Sequence, residues 1–351
     1  MSTAHNIYIH VPFCVQKCKY CAFFSRACSA PDWDAYTDAI IDEVKHFSDM
    51  LGRVCVPTIF FGGGTPSLMP TNKFAKIIDA IHKNFDVIAD AEITIEANPG
   101  TIDDYKLGEF CTAGVNRLSI GVQSLDDEKL KFLGRIHSAH DARTLIDNGM
   151  QRGIRVSADF IYGLPGENAS DIIKTCRDIN AIGIKHCSMY ELTIEPETPF
   201  GKMNLNMPNN DTMAEMYNAI QNNLQLPRYE VSNYAAYGHE CRHNQNVWDG
   251  EPYIGIGVGA AGRVFLDGTW YEELGGGKMF QPMTGDARAI ERVITGMRTK
   301  RGVRIDDAVK KILNIEFAKS HPDMITFSGD RIIASDAGIL VLDNLIERLV
   351  K

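Results

Sequence analysis

The chain has 351 residues, 44% of them apolar and 23% charged, which is enough for one large α/β domain and a small appendage. Its net charge of −9 repels phosphate backbones and argues against a nucleic-acid partner; the one basic stretch, Arg298, Lys300, Arg301 and Arg304, reads as a solvated loop. The opening MSTAHNIYIHVPFC lacks the basic start and apolar stretch of a secretion signal, and no apolar run approaches ~18 residues, so the expectation is a cytoplasmic protein without a membrane span. Nine cysteines in such a protein point to metal, catalysis or burial rather than to a disulfide framework.

Strand-like apolar runs alternate with helical patterns. Strands are expected at Asn6–His10, Pro57–Phe61, Ala91–Glu96, Asn116–Gly121, Arg155–Ile161 and Lys185–Glu191, several of them apolar throughout, as strands covered on both faces are. Trp33, Tyr36, Ile40, Val44, Phe47 and Leu51 recur at three- and four-residue steps and predict a helix between the first two strands. Phe74, Ile77, Ile78, Ile81 and Phe85 form a second helical face. A third helix, capped at Ser170 or Asp171, carries Ile172, Ile173, Cys176 and Ile179. Repeating strand–helix units imply parallel strands with right-handed crossovers. Six of them suit an open, partial (β/α)6 TIM-like barrel, an α/β fold whose active site lies at the C-terminal strand ends.

After about residue 200 the pattern loosens. Lys202–Asp211 reads as a loop, and Tyr253–Arg263 is rich in glycine. From about residue 285 a separate unit is expected: helices near Asp286–Arg298 and Asp306–Ser320, a strand pair around Ile325–Ala334, and a last helix with Ile339, Leu342, Ile346 and Leu349 on one face. The reading is thus a barrel over 1–200, a barrel-associated segment over 201–284 and a small C-terminal α+β, winged-helix-like domain over 285–351.

Cys14, Cys18 and Cys21 are separated by three and two intervening residues directly after the first strand. Soft thiolates select iron–sulfur clusters or zinc. Three thiolates on a four-iron cluster leave one iron open for an exchangeable ligand; zinc would need a fourth ligand, such as His10 or Cys28. Other chemistry-bearing residues gather at the same strand ends. The turn Gly62-Gly63-Gly64-Thr65 permits close backbone approach to a ligand, although a tight strand–helix turn alone would also explain it. Glu96 can accept from an ammonium or from hydroxyls, or serve in a structural ion pair. Gln123 offers an amide, Arg135 a bidentate site for a carboxylate or else a surface ion pair, and Asp159 a carboxylate before the turn Gly163–Gly166.

The cysteine spacing, with Tyr20 just before the last thiol, resembles the radical S-adenosylmethionine superfamily. The runs Tyr8-Ile-His-Val-Pro12-Phe-Cys14, Gly62–Pro66, Ile95–Gly100, Leu118–Ser124, Gly134–His137 and Tyr162–Gly166 resemble the anaerobic coproporphyrinogen III oxidase-like family, and within it the heme-chaperone branch. The resemblance implies a 4Fe-4S cluster on Cys14, Cys18 and Cys21. It also implies S-adenosylmethionine held by Tyr8, Tyr20, Gly63, Gly64, Thr65, Glu96, Gln123, Arg135 and Asp159. The dehydrogenase branch carries a fourth cysteine two residues after the third, where this chain has Phe23. Cys241-Arg-His243-Asn244-Gln-Asn-Val247-Trp248 is similar to the chaperone branch's heme motif, with Val247 in place of its tyrosine. That similarity implies heme as cargo, with His243 as axial ligand and Asn244 and Trp248 beside it. The partners so implied are heme, a heme-accepting protein and an electron donor where radical chemistry occurs. The alternative is an enzyme, the radical decarboxylation of coproporphyrinogen III.

Overall fold

The computed structural model describes residues 4–274 and 279–351, and all six expected strands are present in it: β1 (Asn6–Val11), β2 (Cys55–Gly63), β3 (Asp86–Ala97), β4 (Arg117–Gln123), β5 (Arg155–Tyr162) and β6 (His186–Glu191). They lie side by side in chain order, all parallel. The crossovers are α1 (Trp33–Leu51), α2 (Thr71–Asn84), α3 (Asp104–Thr112), α4 (Asp127–Leu133), α5 (Ala139–Gln151) and α6 (Ala169–Ile182). Ile40, Val44 and Phe47 of α1 and Phe74, Ile77 and Ile81 of α2 are buried against the sheet, as their spacing requires. The cap of α6 is neither Ser170 nor Asp171 but Asn168. Its side chain accepts from the Ser170 amide, and Asp171 reaches back to the Asn168 amide, a reciprocal capping box.

The barrel has more strands than six. After α7 (Asn210–Asn223), β7 (Asn233–Ala235) runs antiparallel to β6. After α8 (Arg242–Trp248), β8 (Tyr253–Ile256) lies parallel to β1 on the opposite edge and makes a seventh parallel strand. β9 (Ala261–Leu266), β10 (Thr269–Leu274) and β11 (Met279–Pro282) continue that edge as an antiparallel meander. The sheet therefore reads β11-β10-β9-β8-β1-β2-β3-β4-β5-β6-β7, eleven strands, open between its ends. Glycine hid β8 from the sequence. A Cβ at Gly255 would strike the Ala261 carbonyl and the Glu273 carboxyl, so the strand tolerates no side chain there.

Strand alternation places Ile7, Ile9, Ile59, Phe61, Ile93, Ile95, Leu118, Ile120, Val156 and Ala158 against the helices. The other face looks into the barrel and carries Tyr8, Thr58, Glu92, Glu96, Arg117, Ser119, Ser157, Asp159, His186 and Ser188. A closed barrel of this class is filled by branched apolar side chains. A polar interior is instead suited to holding polar groups of a ligand.

The C-terminal unit holds α9 (Gly285–Gly296), β12 (Val303–Arg304), α10 (Asp307–Ile312), α11 (Ile315–Ser320), β13 (Ile325–Ser328), β14 (Arg331–Ala334), α12 (Asp336–Ile339) and α13 (Leu342–Leu349). Its sheet order is β12-β14-β13, and Val293, Met297, Ile332, Leu345 and Leu349 belong to a second core, to which Tyr217 of α7 also contributes. The expected single helix over Asp306–Ser320 is two helices. Asn314 interrupts it, its side chain capping α11 through the Phe317 amide and its own amide donating to the Leu349 carbonyl. The basic stretch is locally neutralised: Arg298 pairs with Glu230, Arg301 with Asp249 and Arg304 with Asp330.

Candidate functional site

Cys14 ends a two-residue strand that bridges in parallel to Arg26–Ala27, and Cys18 and Cys21 follow in the same loop. All three thiols line a cavity of about 410 Å³ at the C-terminal strand ends, together with Gly63, Gly64, Thr65, Glu96, Gln123, Arg135 and Asp159. All are free thiols. Among the described residues no three His, Cys, Asp or Glu side chains are drawn to metal-ligand spacing. Other features fit a cluster here. Arg135 Nη1 donates to Cys18 Sγ at 3.3 Å, and Thr65 Oγ1 to Cys14 Sγ at 3.6 Å. Asn98 joins the two, donating to Thr65 Oγ1 at 2.9 Å and accepting from Arg135 Nη2, which also donates to the Gly121 carbonyl at 2.8 Å. Two sulfurs are thus tied into one hydrogen-bonded chain, the arrangement that tunes and positions soft ligands. The Tyr20 hydroxyl is buried against Cys18 as well.

The glycines are required by close approach. A Cβ at Gly64 would lie 2.6 Å from the Phe13 carbonyl and 3.0 Å from Cys14 Sγ, and Gly63, at φ 110°, lies against the His10 ring. The turn therefore brings backbone and thiol into contact, which a plain strand–helix turn does not need. His10 does not turn toward the thiols: one ring nitrogen meets the Tyr8 hydroxyl at 3.0 Å and the other the Phe24 carbonyl at 2.7 Å. That engagement removes it as a fourth zinc ligand.

Glu96 and Asp159 lie deep in the barrel. Burial, reinforced by the Asp159 charge, pushes the Glu96 carboxyl up to about 8; the Gly63 amide, donating at 3.1 Å, only partly offsets this. Burial raises Asp159 too, although Ser188 and Ser119 donate to it at 2.7 and 3.2 Å. The Arg117 charge lowers both carboxyls without overcoming their burial, so the pair favours a ligand that brings further positive charge. Gln123 sits at φ 65°, where a β-bulge in the β4–β5 pairing turns its backbone left-handed. That conformation is uncommon for a residue with a side chain, and strain of this kind gathers at ligand sites.

A second cavity of about 450 Å³ occupies the barrel interior, and Glu96, Ser119, Asp159 and Tyr190 line both. His243, Asn244, Val247 and Trp248 of α8 line this second cavity, as does Tyr8. Tyr8 thus faces the α8 side of the barrel rather than the thiol cavity, its ring 6.1 Å from Phe60 and 6.5 Å from His243. The N-terminus of α8 docks on Glu92, whose carboxylate accepts from the His243 amide at 2.9 Å and the Arg242 amide at 3.1 Å and pairs with Arg155 at 3.0 Å. Burial would raise the Glu92 pKa, but Arg117, these amides and Arg155 hold it below the usual carboxylate range. His243 is 5% exposed, and Nδ1 bonds Thr58 Oγ1 at 2.8 Å, which leaves Nε2 for a ligand. Burial pushes the imidazole down to about 4, so it is neutral at pH 7 and able to donate its lone pair to a metal.

The sequence reading missed Asn98, Arg117, Ser119, Ser188 and Tyr190. Asn98 carried a signal: it follows Glu96 by two residues and shares its face. The others needed strand register to bring them to the interior.

A model of the radical SAM superfamily matches residues 8–179. The heme chaperone HemW of Escherichia coli K12 is 39% identical over 269 residues, 75% of this chain and 71% of that protein. The heme chaperone HemW of Bacillus subtilis 168 is 34% identical, covering 75% of this chain and 72% of that protein. The solved structure of the radical SAM enzyme coproporphyrinogen III oxidase, HemN, from E. coli superposes with a TM-score of 0.82 over 99% of this chain and 90% of that one, at 19% identity, a likeness of fold. The chain belongs to the HemW family of the radical SAM superfamily.

Proposed function

We propose that the protein is a heme chaperone that binds heme in the barrel interior and passes it to an acceptor protein. The superfamily brings a 4Fe-4S cluster and S-adenosylmethionine as cofactors. Cys14, Cys18 and Cys21 would hold the cluster. Gly63, Gly64, Thr65, Glu96, Gln123, Arg135 and Asp159, with Tyr20 behind the thiols, would hold S-adenosylmethionine. When bound, these cofactors supply one-electron chemistry at the sulfonium. Glu96 would accept from the methionine ammonium, Arg135 would hold the carboxylate, and the glycine turn would admit the ligand to the backbone. His243 Nε2 would hold the heme iron, and Asn244, Trp248 and Tyr8 would line the cavity around the cargo.

One observation carries the heme reading. A neutral, buried imidazole with one nitrogen fixed by Thr58 faces an interior cavity that shares its wall with the thiol cavity. A second reading, decarboxylation of coproporphyrinogen III, has the HemN fold in its favour. Against it stands Phe23, 69% exposed, where that branch carries its extra cysteine.

Heme titration of the anaerobically reconstituted protein tests the proposal. The wild type should give a shifted Soret band, and His243→Ala should weaken binding and lose the shift. An identical titration in the variant would remove His243 as ligand. The organisation into residues 1–200, 201–284 and 285–351 belongs to the same proposal, the middle segment bringing the heme residues to the barrel.

A further inference from the structure

Arg117 is a buried cation that the proposed chemistry leaves without a task. It stands on the interior face of β4, is 3% exposed, and lines the cavity that holds His243 and Trp248. Among the described residues its guanidinium forms no hydrogen bond and no ion pair. The carboxylates around it are engaged elsewhere. Glu92 is taken by Arg155 and the amides of α8, and Asp159 by Ser188 and Ser119. Burial would lower the guanidinium's pKa, yet Cys241, Glu92, Tyr229 and Asp159 keep it above its usual value, so the group stays charged. Its nitrogens are not among the buried polar atoms left without a partner, so they open onto the cavity, and an anionic group there would complete their donors.

We infer that Arg117 is the carboxylate-binding residue of the interior cavity, gripping an acidic group of the ligand whose iron His243 would hold. This rests on the heme reading and adds the group that recognises the propionates. The cavity also suits such a ligand in its position. Tyr253 of β8, Ala261 of β9, Ser188 of β6 and Asn233 of β7 line it together. Arg117 lines the same cavity as His243, so a macrocycle whose iron His243 held would have its acidic edge within the reach of the cation. The same carboxylate chemistry is offered by the methionine end of S-adenosylmethionine, and the test separates the two.

Iron protoporphyrin IX and its dimethyl ester would be titrated by Soret absorbance into the full-length protein, with S-adenosylmethionine binding measured in parallel. The wild type should bind the diacid about tenfold or more tighter than the diester, the worth of one charge-assisted contact. Arg117→Gln should bring the diacid to the level of the diester while leaving the diester and S-adenosylmethionine unchanged. Arg117→Lys should recover part of the difference. Equal binding of diacid and diester by the wild type overturns the assignment, and needs no substitution to observe. A loss in Arg117→Gln that is equal for both porphyrins also overturns it, as does one confined to S-adenosylmethionine. Failure of the wild type to bind either porphyrin overturns instead the heme reading on which the inference rests.

Discussion

At Gln123 the backbone adopts φ 65° next to a bulge, and at Glu96 a carboxyl is held protonated up to about pH 8. Both are local costs of the kind that gather at ligand sites. Glycine relieves the first, so Gln123→Gly should be at least as stable as wild type in thermal melts yet bind S-adenosylmethionine more weakly by calorimetry. Lower stability in that variant would show that the left-handed backbone carries no strain. The sign of the second follows from proton uptake. The folded state binds the Glu96 proton up to about 8, while the unfolded state releases it near 4.5, so the folded state holds more protons between these values. Stability of the cofactor-free protein should therefore fall as pH rises from 4.5 to about 8, and Glu96→Gln should flatten that slope in urea titrations across the range. S-adenosylmethionine affinity should rise over the same window, because the ammonium needs the ionised carboxylate.

Two elements position the site, the glycine turn after β2 and the helix α8. At the turn, Gly64→Ala would push a methyl group into the Phe13 carbonyl and Cys14 Sγ. That variant should retain its helical circular dichroism and take up less iron than the wild type on anaerobic reconstitution, which should load about four irons per chain. α8 is anchored by Glu92, which is fully buried between Arg155 and two helix-terminal amides. Glu92→Gln should lower unfolding stability by about 3 kcal/mol, the range for breaking a buried, hydrogen-bonded ion pair, and should weaken heme binding with it. An unchanged urea midpoint would contradict that anchoring. The sequence revealed the turn and the cysteine loop because their chemistry is written in contiguous residues. It revealed β1 to β6 because their outward faces are unbroken apolar runs. It hid β8, where Gly255 replaces a packing side chain, and it placed the cap of α6 two or three residues late because Asn168 and Asp171 act as a pair. Arg117, Ser119 and Ser188 became visible as a group only through the registers of β4, β5 and β6.

On the scale of the whole molecule, one open sheet of parallel strands holds two adjoining cavities. The thiol cavity sits at the C-terminal strand ends. The interior cavity lies on the α8 side of the barrel, with Glu96, Ser119, Asp159 and Tyr190 as the common wall. In the proposed function, a redox cofactor in the first and a tetrapyrrole in the second would share these carboxyls. Among the described residues no helix is long and apolar enough to cross a membrane. Heme and coproporphyrinogen III, each offered to the anaerobically reconstituted protein with S-adenosylmethionine and a reductant, separate the chaperone from the enzyme in one side-by-side assay. The account predicts a shifted Soret band that depends on His243 and no protoporphyrinogen. Protoporphyrinogen formation without stable heme binding would contradict it.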